Sequence, residues 1–141
     1  MTSIRYRDDL AEVDWRELKA DLAADGFDNG RTAEELSASF GNSHSVVMAW
    51  DGRRVVGTAR LLADGVCNAY LVDVWTASPY RRRGIGSAMV SRLLEGVPGH
   101  HVGLFTDDHV AFYRALGFDE ESTGMSLVVG RWLNRSDPPR G

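Results

Sequence analysis

Hydrophobic positions recur along the chain with two different spacings, and each change of spacing separates a predicted strand from a predicted helix. A short extended segment at 4–7 precedes a stretch at 11–24 whose apolar residues have helical spacing. Thr32 followed by Glu35 forms the pattern of a capping box, which predicts a second helix through 36–40. The chain is therefore expected to begin with one strand and two helices.

Three strands joined by tight turns are predicted next. Their apolar runs lie at 45–50, 54–62 and 67–76, and Asp-Gly pairs at 51–52 and 64–65 separate them. An Asp-Gly pair favours the positive backbone φ angles that a two-residue hairpin turn needs. This part of the sequence therefore predicts an antiparallel meander.

The remaining elements alternate between helix and strand. Apolar residues at i, i+4 spacing predict a helix over 85–95, followed by a strand at 102–106, a helix at 109–116 and a final strand at 125–129. The predicted order is β-α-α-β-β-β-α-β-α-β. This pattern is typical of an α/β (α+β) fold with a mixed central sheet flanked by helices.

Length and charge limit the classes of protein that this sequence can represent. The 141 residues suffice for one core, so we expect a single domain over 1–133, and 134–141 offers nothing to bury and is expected to be a disordered tail. The net charge of −4 argues against a general nucleic-acid binder, which needs a cationic face. The same charge argues against binding to an anionic membrane.

Cysteine content and hydropathy predict a cytoplasmic protein without a metal site. Cys67 is the only cysteine, which excludes an internal disulfide and argues against a zinc-ligand cluster. The N-terminal residues lack the apolar region of a signal peptide, and no apolar run approaches the roughly 20 residues of a membrane span.

A basic, glycine-containing turn at 80–86 lies between a predicted strand and a predicted amphipathic helix. Free N–H groups and the helix dipole make a helix N-terminus an anion site. Gly84 and Gly86 have no Cβ, so a ligand can approach the main chain closely. The three arginines at 81–83 add charge for phosphate, although a solvated arginine cluster is the alternative interpretation.

Two other phosphate motifs do not fit this turn. A P-loop needs Gly-Lys-Ser/Thr after its glycines, and a dinucleotide-binding fold needs a third glycine where Met89 stands. The turn therefore predicts a site for the pyrophosphate of a nucleotide that serves as a handle, as in coenzyme A.

At these residues the sequence resembles the GNAT superfamily of N-acetyltransferases. Arg81-Arg82-Arg83-Gly84-Ile85-Gly86 matches the family's Arg/Gln-x-x-Gly-x-Gly/Ala motif, and 112–118 matches a helix that carries Phe-Tyr and ends at Gly-Phe. The chain departs from the family at Thr106, where many members have asparagine, and at Ser78, where many have proline.

The resemblance implies acetyl-coenzyme A as cofactor. Main-chain N–H groups over 82–87 are expected to bind its pyrophosphate, and 74–76 to pair with its pantetheine arm in a gap beside 102–105. An amide at this gap is expected to polarise the thioester carbonyl. The residues implied in cofactor binding are Val74, Trp75, Thr76, Arg81, Arg82, Arg83, Gly84, Ile85, Gly86, Ser87 and Thr106.

Two residues are candidates for proton transfer. Tyr113 matches the tyrosine that often protonates the departing thiolate in this family, and its alternative role is an aromatic packing residue. Asp73 is a candidate base with a pKa raised by burial, and its alternative role is a structural carboxylate bonded to a neighbouring element. Loop histidines and a water relay are further candidates for the base.

The resemblance implies transfer of an acetyl group to an amine of a small molecule. Alternatives are acetylation of a peptide N-terminus or protein lysine, a non-catalytic sensor of acetyl-coenzyme A, and more distantly a nucleotide-binding oxidoreductase. Asp28, Glu120 and Glu121 either attract a cationic amine or are solvated loop charges. Exposed sheet edges and Trp75 or Trp132 are candidate surfaces for a homodimer.

Overall fold

The computed structural model describes residues 3–135, which contain a five-stranded sheet and four α-helices. The strands are β1 (Ile4–Arg7), β2 (Ser45–Asp51), β3 (Arg54–Ala63), β4 (Asn68–Thr76) and β5 (His101–Gly103). They lie in the order β1-β2-β3-β4-β5, antiparallel through β4 and parallel between β4 and β5. The predicted mixed sheet flanked by helices is confirmed.

The helices are α1 (Trp15–Ala24), α2 (Ala33–Gly41), α3 (Ile85–Glu95) and α4 (Val110–Ala115). The predicted capping box opens α2, because the Thr32 hydroxyl accepts from the Glu35 N–H and the Glu35 carboxylate accepts from the Thr32 N–H. The described residues form two compact units divided after Asp107, and α4 is the α-helix of the second unit.

Helices cover both faces of the sheet in the first unit. Leu18 and Leu22 of α1 and Phe40 of α2 share a core cluster with Met48 and Trp50 of β2. Side chains alternate along a strand, so the neighbouring buried residues of β2 face the opposite side.

On that opposite side α3 packs closely against the sheet at Gly57 of β3. A Cβ at Gly57 would lie 3.0 Å from the Met89 Cε and 3.1 Å from the Ala49 Cβ. The absence of a side chain at Gly57 therefore lets α3 approach the sheet.

The predicted final strand at 125–129 is wrong. These residues are irregular, and the side chains of Met125 and Val129 are each 88% exposed. A short apolar run forms a strand only beside another strand, and within 108–135 the structure contains no strand. The predicted tail falls largely on 136–141, which lies outside the described residues.

Candidate active site

The predicted anion-binding turn precedes α3 without a break. Pro79 lies in a single 3₁₀ turn (Ser78–Tyr80), Arg82 has φ +65° and Gly84, the N-cap residue of α3, has φ +80°. No side chain caps this helix, so its first N–H groups, at 85–87, depend on an external acceptor. A Cβ at Gly84 would meet no heavy atom within 4 Å, so the space above the turn is open to a ligand.

The three arginines of the turn have different surroundings. The Arg81 guanidinium donates to the Thr76 carbonyl at 2.9 Å and to the Asp25 carboxylate at 2.9 Å, so it braces the end of β4. Arg83 lies over the Tyr80 ring, 5.2 Å from its centroid. The side chains of Arg82 and Arg83 are exposed.

The carboxylate of Asp25, the C-cap residue of α1, forms hydrogen bonds with residues at and just before this turn. Its carboxylate accepts from the Trp75 indole N–H at 2.9 Å, from the Ser78 N–H at 3.2 Å, and from the Ser78 hydroxyl and Arg81. Burial alone would raise the Asp25 pKa, but the hydrogen bonds from Ser78 and Trp75 and the charge of Arg81 lower it overall. The local sequence gives no sign of this role of Asp25, because its partners lie 50 to 56 residues away.

β5 pairs with only the first three residues of β4. Their register runs from Asn68 beside His101 to Tyr70 beside Gly103. β4 continues to Thr76, and over 71–76 no strand in the described part of the chain pairs with this edge. Main-chain groups along that edge are consequently available to an extended ligand.

A β-bulge shapes β4 next to this open edge. The register with β3 shifts between Thr58 and Arg60, where Asp73 and Val74 together lie opposite Ala59, and Asp73 has φ +55°. The Asp73 carbonyl accepts from the buried Thr58 hydroxyl at 2.8 Å. A trans peptide directs its N–H opposite to its C=O, so the Val74 N–H points away from Thr58.

The predicted rise in the pKa of Asp73 is wrong. Its carboxylate accepts from the two terminal guanidinium nitrogens of Arg31, at 2.9 and 3.0 Å, and from Arg60 Nε at 2.5 Å. Burial would raise the Asp73 pKa, but these hydrogen bonds and the two positive charges lower it overall. An ionised carboxylate with a depressed pKa and two cationic partners is a weak base. These contacts favour the alternative interpretation of Asp73 as a structural carboxylate.

Tyr113 lies in the second unit, within a cluster of three aromatic rings. Its ring meets Phe112 and Phe118 edge-on, with centroids 4.9 and 5.8 Å apart. Gly117 has φ +101°, and the Phe118 N–H donates to the Tyr113 carbonyl, as the Gly-Phe pattern predicted for the end of this helix. Burial raises the Tyr113 pKa, so the phenol stays protonated at neutral pH and can donate a proton.

Other predicted residues are placed as follows. The side chains of Trp75 and Ile85 are core residues, each 2% exposed, so only their main chain can contact a cofactor, and Trp75 does not contribute to a dimer surface. Thr76, Gly86, Ser87 and Thr106 are partly buried. Two carboxylates proposed to attract an amine are paired internally, Asp28 with Lys19 at 3.1 Å and Glu120 with Arg114.

No helix within residues 3–135 combines the length and the apolar character needed to cross a membrane.

Comparison with known proteins extends the geometric evidence. Residues 7–118 match a model of the Acetyltransferase (GNAT) family. The chain is 31% identical over 121 residues to GCN5-related N-acetyltransferase 1, chloroplastic, from Arabidopsis thaliana, covering 80% of this chain and 60% of that protein. It is 30% identical over 129 residues to probable acetyltransferase TAP2 from Glycine max, covering 81% of this chain and 51% of that protein. The chain thus spans roughly half to three fifths of these curated relatives.

A solved GNAT-family acetyltransferase from Streptococcus pneumoniae has 28% identity and a TM-score of 0.73, covering 93% of this chain and 100% of that one. A structure from Xanthomonas campestris assigned to the same family has a TM-score of 0.79 at 21% identity, covering 92% of this chain and 95% of that one. The family match covers most of the chain, from β1 to the residue that follows Gly117. The chain therefore belongs to the GNAT family of acetyltransferases.

Proposed function

We propose that the chain is an N-acetyltransferase that uses acetyl-coenzyme A to acetylate a primary amine of a small molecule by direct attack on the thioester. The observation that carries this proposal is the arrangement of two features at the end of β4. The uncapped start of α3 offers N–H groups to a diphosphate, and within residues 3–135 no strand pairs with the edge of β4 at 71–76. Together they suit a ligand with a diphosphate at one end and an amide-containing arm at the other.

Different residues of the first unit would bind the two ends of this ligand. The main-chain N–H groups from Arg82 to Ser87 would hold the pyrophosphate, aided by the exposed Arg82 and Arg83 side chains. Main-chain groups of 74–76 would pair with the pantetheine amides, as an added strand does. Thr106 is proposed as a further contact near the end of β5.

Proton transfer is assigned to Tyr113 and to water. Bound acetyl-coenzyme A supplies an acetyl thioester, whose C–S bond breaks as the amine nitrogen forms the new C–N bond. An alkylammonium titrates near pKa ~10, so the acceptor must lose a proton, and with Asp73 held in ion pairs we propose that water accepts it. The Tyr113 phenol would protonate the leaving thiolate, whose pKa is roughly 8.5 by analogy with cysteine.

A fixed loop between α1 and α2 favours a small acceptor. Arg31 in this loop bonds to Asp73, and Lys19 bonds to the Arg31 carbonyl and to Asp28, so the loop is anchored to the sheet at its centre. A rigid wall beside the β4 bulge suits a compact amine, whereas a peptide or a protein lysine needs an open groove. The cytoplasm and a homodimer remain predictions for location and assembly.

A thiol-release assay with acetyl-coenzyme A tests this proposal. The panel contains arylalkylamines, polyamines, aminoglycosides, amino acids, short peptides and a lysine-rich protein, and calorimetry measures coenzyme A binding in parallel. Turnover with a small amine supports the proposal. Turnover only with the peptides or the lysine-rich protein would show that the acceptor is a peptide or protein and not a small amine. Binding without turnover on any acceptor would indicate a sensor, and absence of coenzyme A binding would refute the family-based account altogether.

A further inference from the structure

The bulge in β4 is held by hydrogen bonds to both the side chain and the main chain of Asp73. The Asp73 carboxylate bonds to Arg31 and Arg60, and the Asp73 carbonyl accepts from the Thr58 hydroxyl at 2.8 Å. Thr58 is 1% exposed, and the three charged side chains are 7 to 13% exposed. Burying two guanidinium groups and a carboxylate is costly, so such a cluster contributes less to stability than to a specific geometry.

The partners of Asp73 come from separate elements of the first unit. Arg31 stands just before α2 and also donates to Asn29 at 2.8 Å, while Arg60 and Thr58 belong to β3. The positive φ of Asp73, unusual for a residue other than glycine, persists because these contacts over-determine it. The bulge is therefore held in one conformation by several independent bonds.

The Thr58 bond decides the direction of one amide. The bond turns the Asp73 carbonyl towards β3, and the trans peptide then turns the Val74 N–H towards the edge of β4 that lacks a paired strand. An N–H held in a fixed direction at a reacting carbonyl stabilises the negative charge that develops on its oxygen.

We propose that Thr58, with the Arg31–Asp73–Arg60 cluster, acts as a positioning residue that aims the Val74 N–H at the thioester carbonyl, an inference that rests on the proposed acetyltransferase function. Thr58 touches neither cofactor nor acceptor in this scheme. Its loss should leave the diphosphate turn at Gly84 intact, so turnover falls while coenzyme A still binds.

The test compares Thr58→Val, which removes the hydroxyl, with Thr58→Ser, which keeps it. Ser45→Ala is the control: it removes a different buried hydroxyl of the sheet, one that has no hydrogen-bond partner within the described residues. Turnover, the acetyl-coenzyme A KM and the coenzyme A Kd are measured for each. Amide NMR follows the Val74 and Gly86 signals on addition of acetonyl-coenzyme A, a stable ketone analogue of the thioester. Arg31→Lys, which keeps the charge but loses the two-bond contact, is a second, milder probe of the bulge.

For Thr58→Val we expect kcat to fall about 10- to 100-fold, the range that a misplacement near 1 Å produces. The coenzyme A Kd should stay within about threefold of wild type, because binding and the chemical step depend on different groups. The analogue-induced shift of Val74 should disappear and that of Gly86 persist. Thr58→Ser should recover both kcat and the Val74 shift, and Arg31→Lys should lower kcat in the same way.

Two outcomes would overturn the inference. One is a folded Thr58→Val protein with wild-type kcat and a wild-type Val74 shift. The other is a joint loss of kcat and coenzyme A affinity that Thr58→Ser does not restore, which would indicate general damage to the sheet. Failure of the unsubstituted protein to bind coenzyme A would instead refute the proposed function itself.

Discussion

The Asp25 carboxylate and the Trp75 indole N–H are hydrogen-bonded at 2.9 Å, and this bond joins the end of α1 to the buried end of β4. The same carboxylate also accepts from Ser78 and Arg81, which flank the diphosphate turn. The position of the turn thus depends on a residue far from it in the sequence.

Replacing Asp25 with asparagine should weaken both the fold and the turn. The asparagine amide keeps the size of the side chain but lacks the negative charge that accepts hydrogen bonds from Ser78 and Arg81. We expect the free energy of unfolding to fall by about 1 kcal/mol, the typical net value of a hydrogen bond, because the Ser78 and Arg81 donors are exposed to solvent. The coenzyme A Kd should rise about tenfold, equivalent to roughly 1.4 kcal/mol. Urea unfolding and calorimetry measure the two quantities.

Asp21→Asn is the matched control, because Asp21 lies on the same helix and pairs with the exposed Arg54 instead. It should leave the coenzyme A Kd unchanged. Equal effects of the two substitutions on binding would show that Asp25 has no special role at the turn.

Gly84→Ala tests the open approach to the turn. Gly84 has φ +80°, so a Cβ there costs about 1–2 kcal/mol of stability from backbone strain. No protein atom lies within 4 Å of that Cβ, so any further effect reflects the ligand. We expect the coenzyme A Kd to rise at least about tenfold, or roughly 1.4 kcal/mol.

Gly99→Ala provides the comparison, since Gly99 has φ +77° and equally open surroundings but lies after α3. It should lose similar stability and keep coenzyme A affinity. If both variants bound coenzyme A as the wild type does, Gly84 would not lie against the ligand.

Tyr113→Phe removes the phenol oxygen and keeps the ring contacts with Phe112 and Phe118. We expect kcat to fall about 10- to 100-fold, near the low end of general-acid effects. Because burial raises the Tyr113 pKa above its usual 10, the wild-type rate should show no loss from phenol ionisation below about pH 10. Steady-state rates from pH 6 to 10 measure both effects. An unchanged kcat would remove Tyr113 from the mechanism.

Acid should destabilise the fold partly through Asp64, whose carboxylate accepts the N–H groups of Val66, Cys67 and Asn68. The hydrogen bond from Cys67 is the largest of the influences that lower the Asp64 pKa from 3.8 to about 2. A depressed pKa gives stability that is present above the unfolded value and lost as pH falls through the folded one. The contribution should therefore be constant above pH 4 and disappear between pH 4 and 2.

Urea unfolding of the wild type and of Asp64→Asn at pH 7, 5, 4, 3 and 2 measures this contribution. The difference in stability between the two proteins should be constant down to about pH 4 and shrink below it. A difference that does not depend on pH would show that the Asp64 charge contributes nothing.

Local signals in the sequence predicted the helix and turn that carry the proposed function. The apolar stripe over 85–95 and Gly84 before it predicted a helix with the bounds that the structure has for α3, Ile85–Glu95. The Thr32–Glu35 capping box was equally readable, because both partners lie within one helical turn.

Features that depend on distant partners could not be predicted. The strand sequence around Asp73 makes it a candidate base. Its ion-pair partner Arg31 lies 42 residues earlier, so the local sequence does not show that the carboxylate is paired. The segment at 125–129 is a short, mostly apolar run of the kind that forms strands, yet a strand also requires a neighbouring strand to pair with, which the local sequence does not encode. The antiparallel meander follows from local turns, whereas long-range charge pairs and the fate of an apolar run without a strand partner do not follow from the local sequence.

A crystal structure of the protein with coenzyme A tests the central claim most directly. The account predicts the diphosphate on the N–H groups of Ile85, Gly86 and Ser87, and the pantetheine arm along the open edge of β4 with its thiol end near Val74. A coenzyme A bound elsewhere, or a diphosphate that makes no contact with the start of α3, would contradict it.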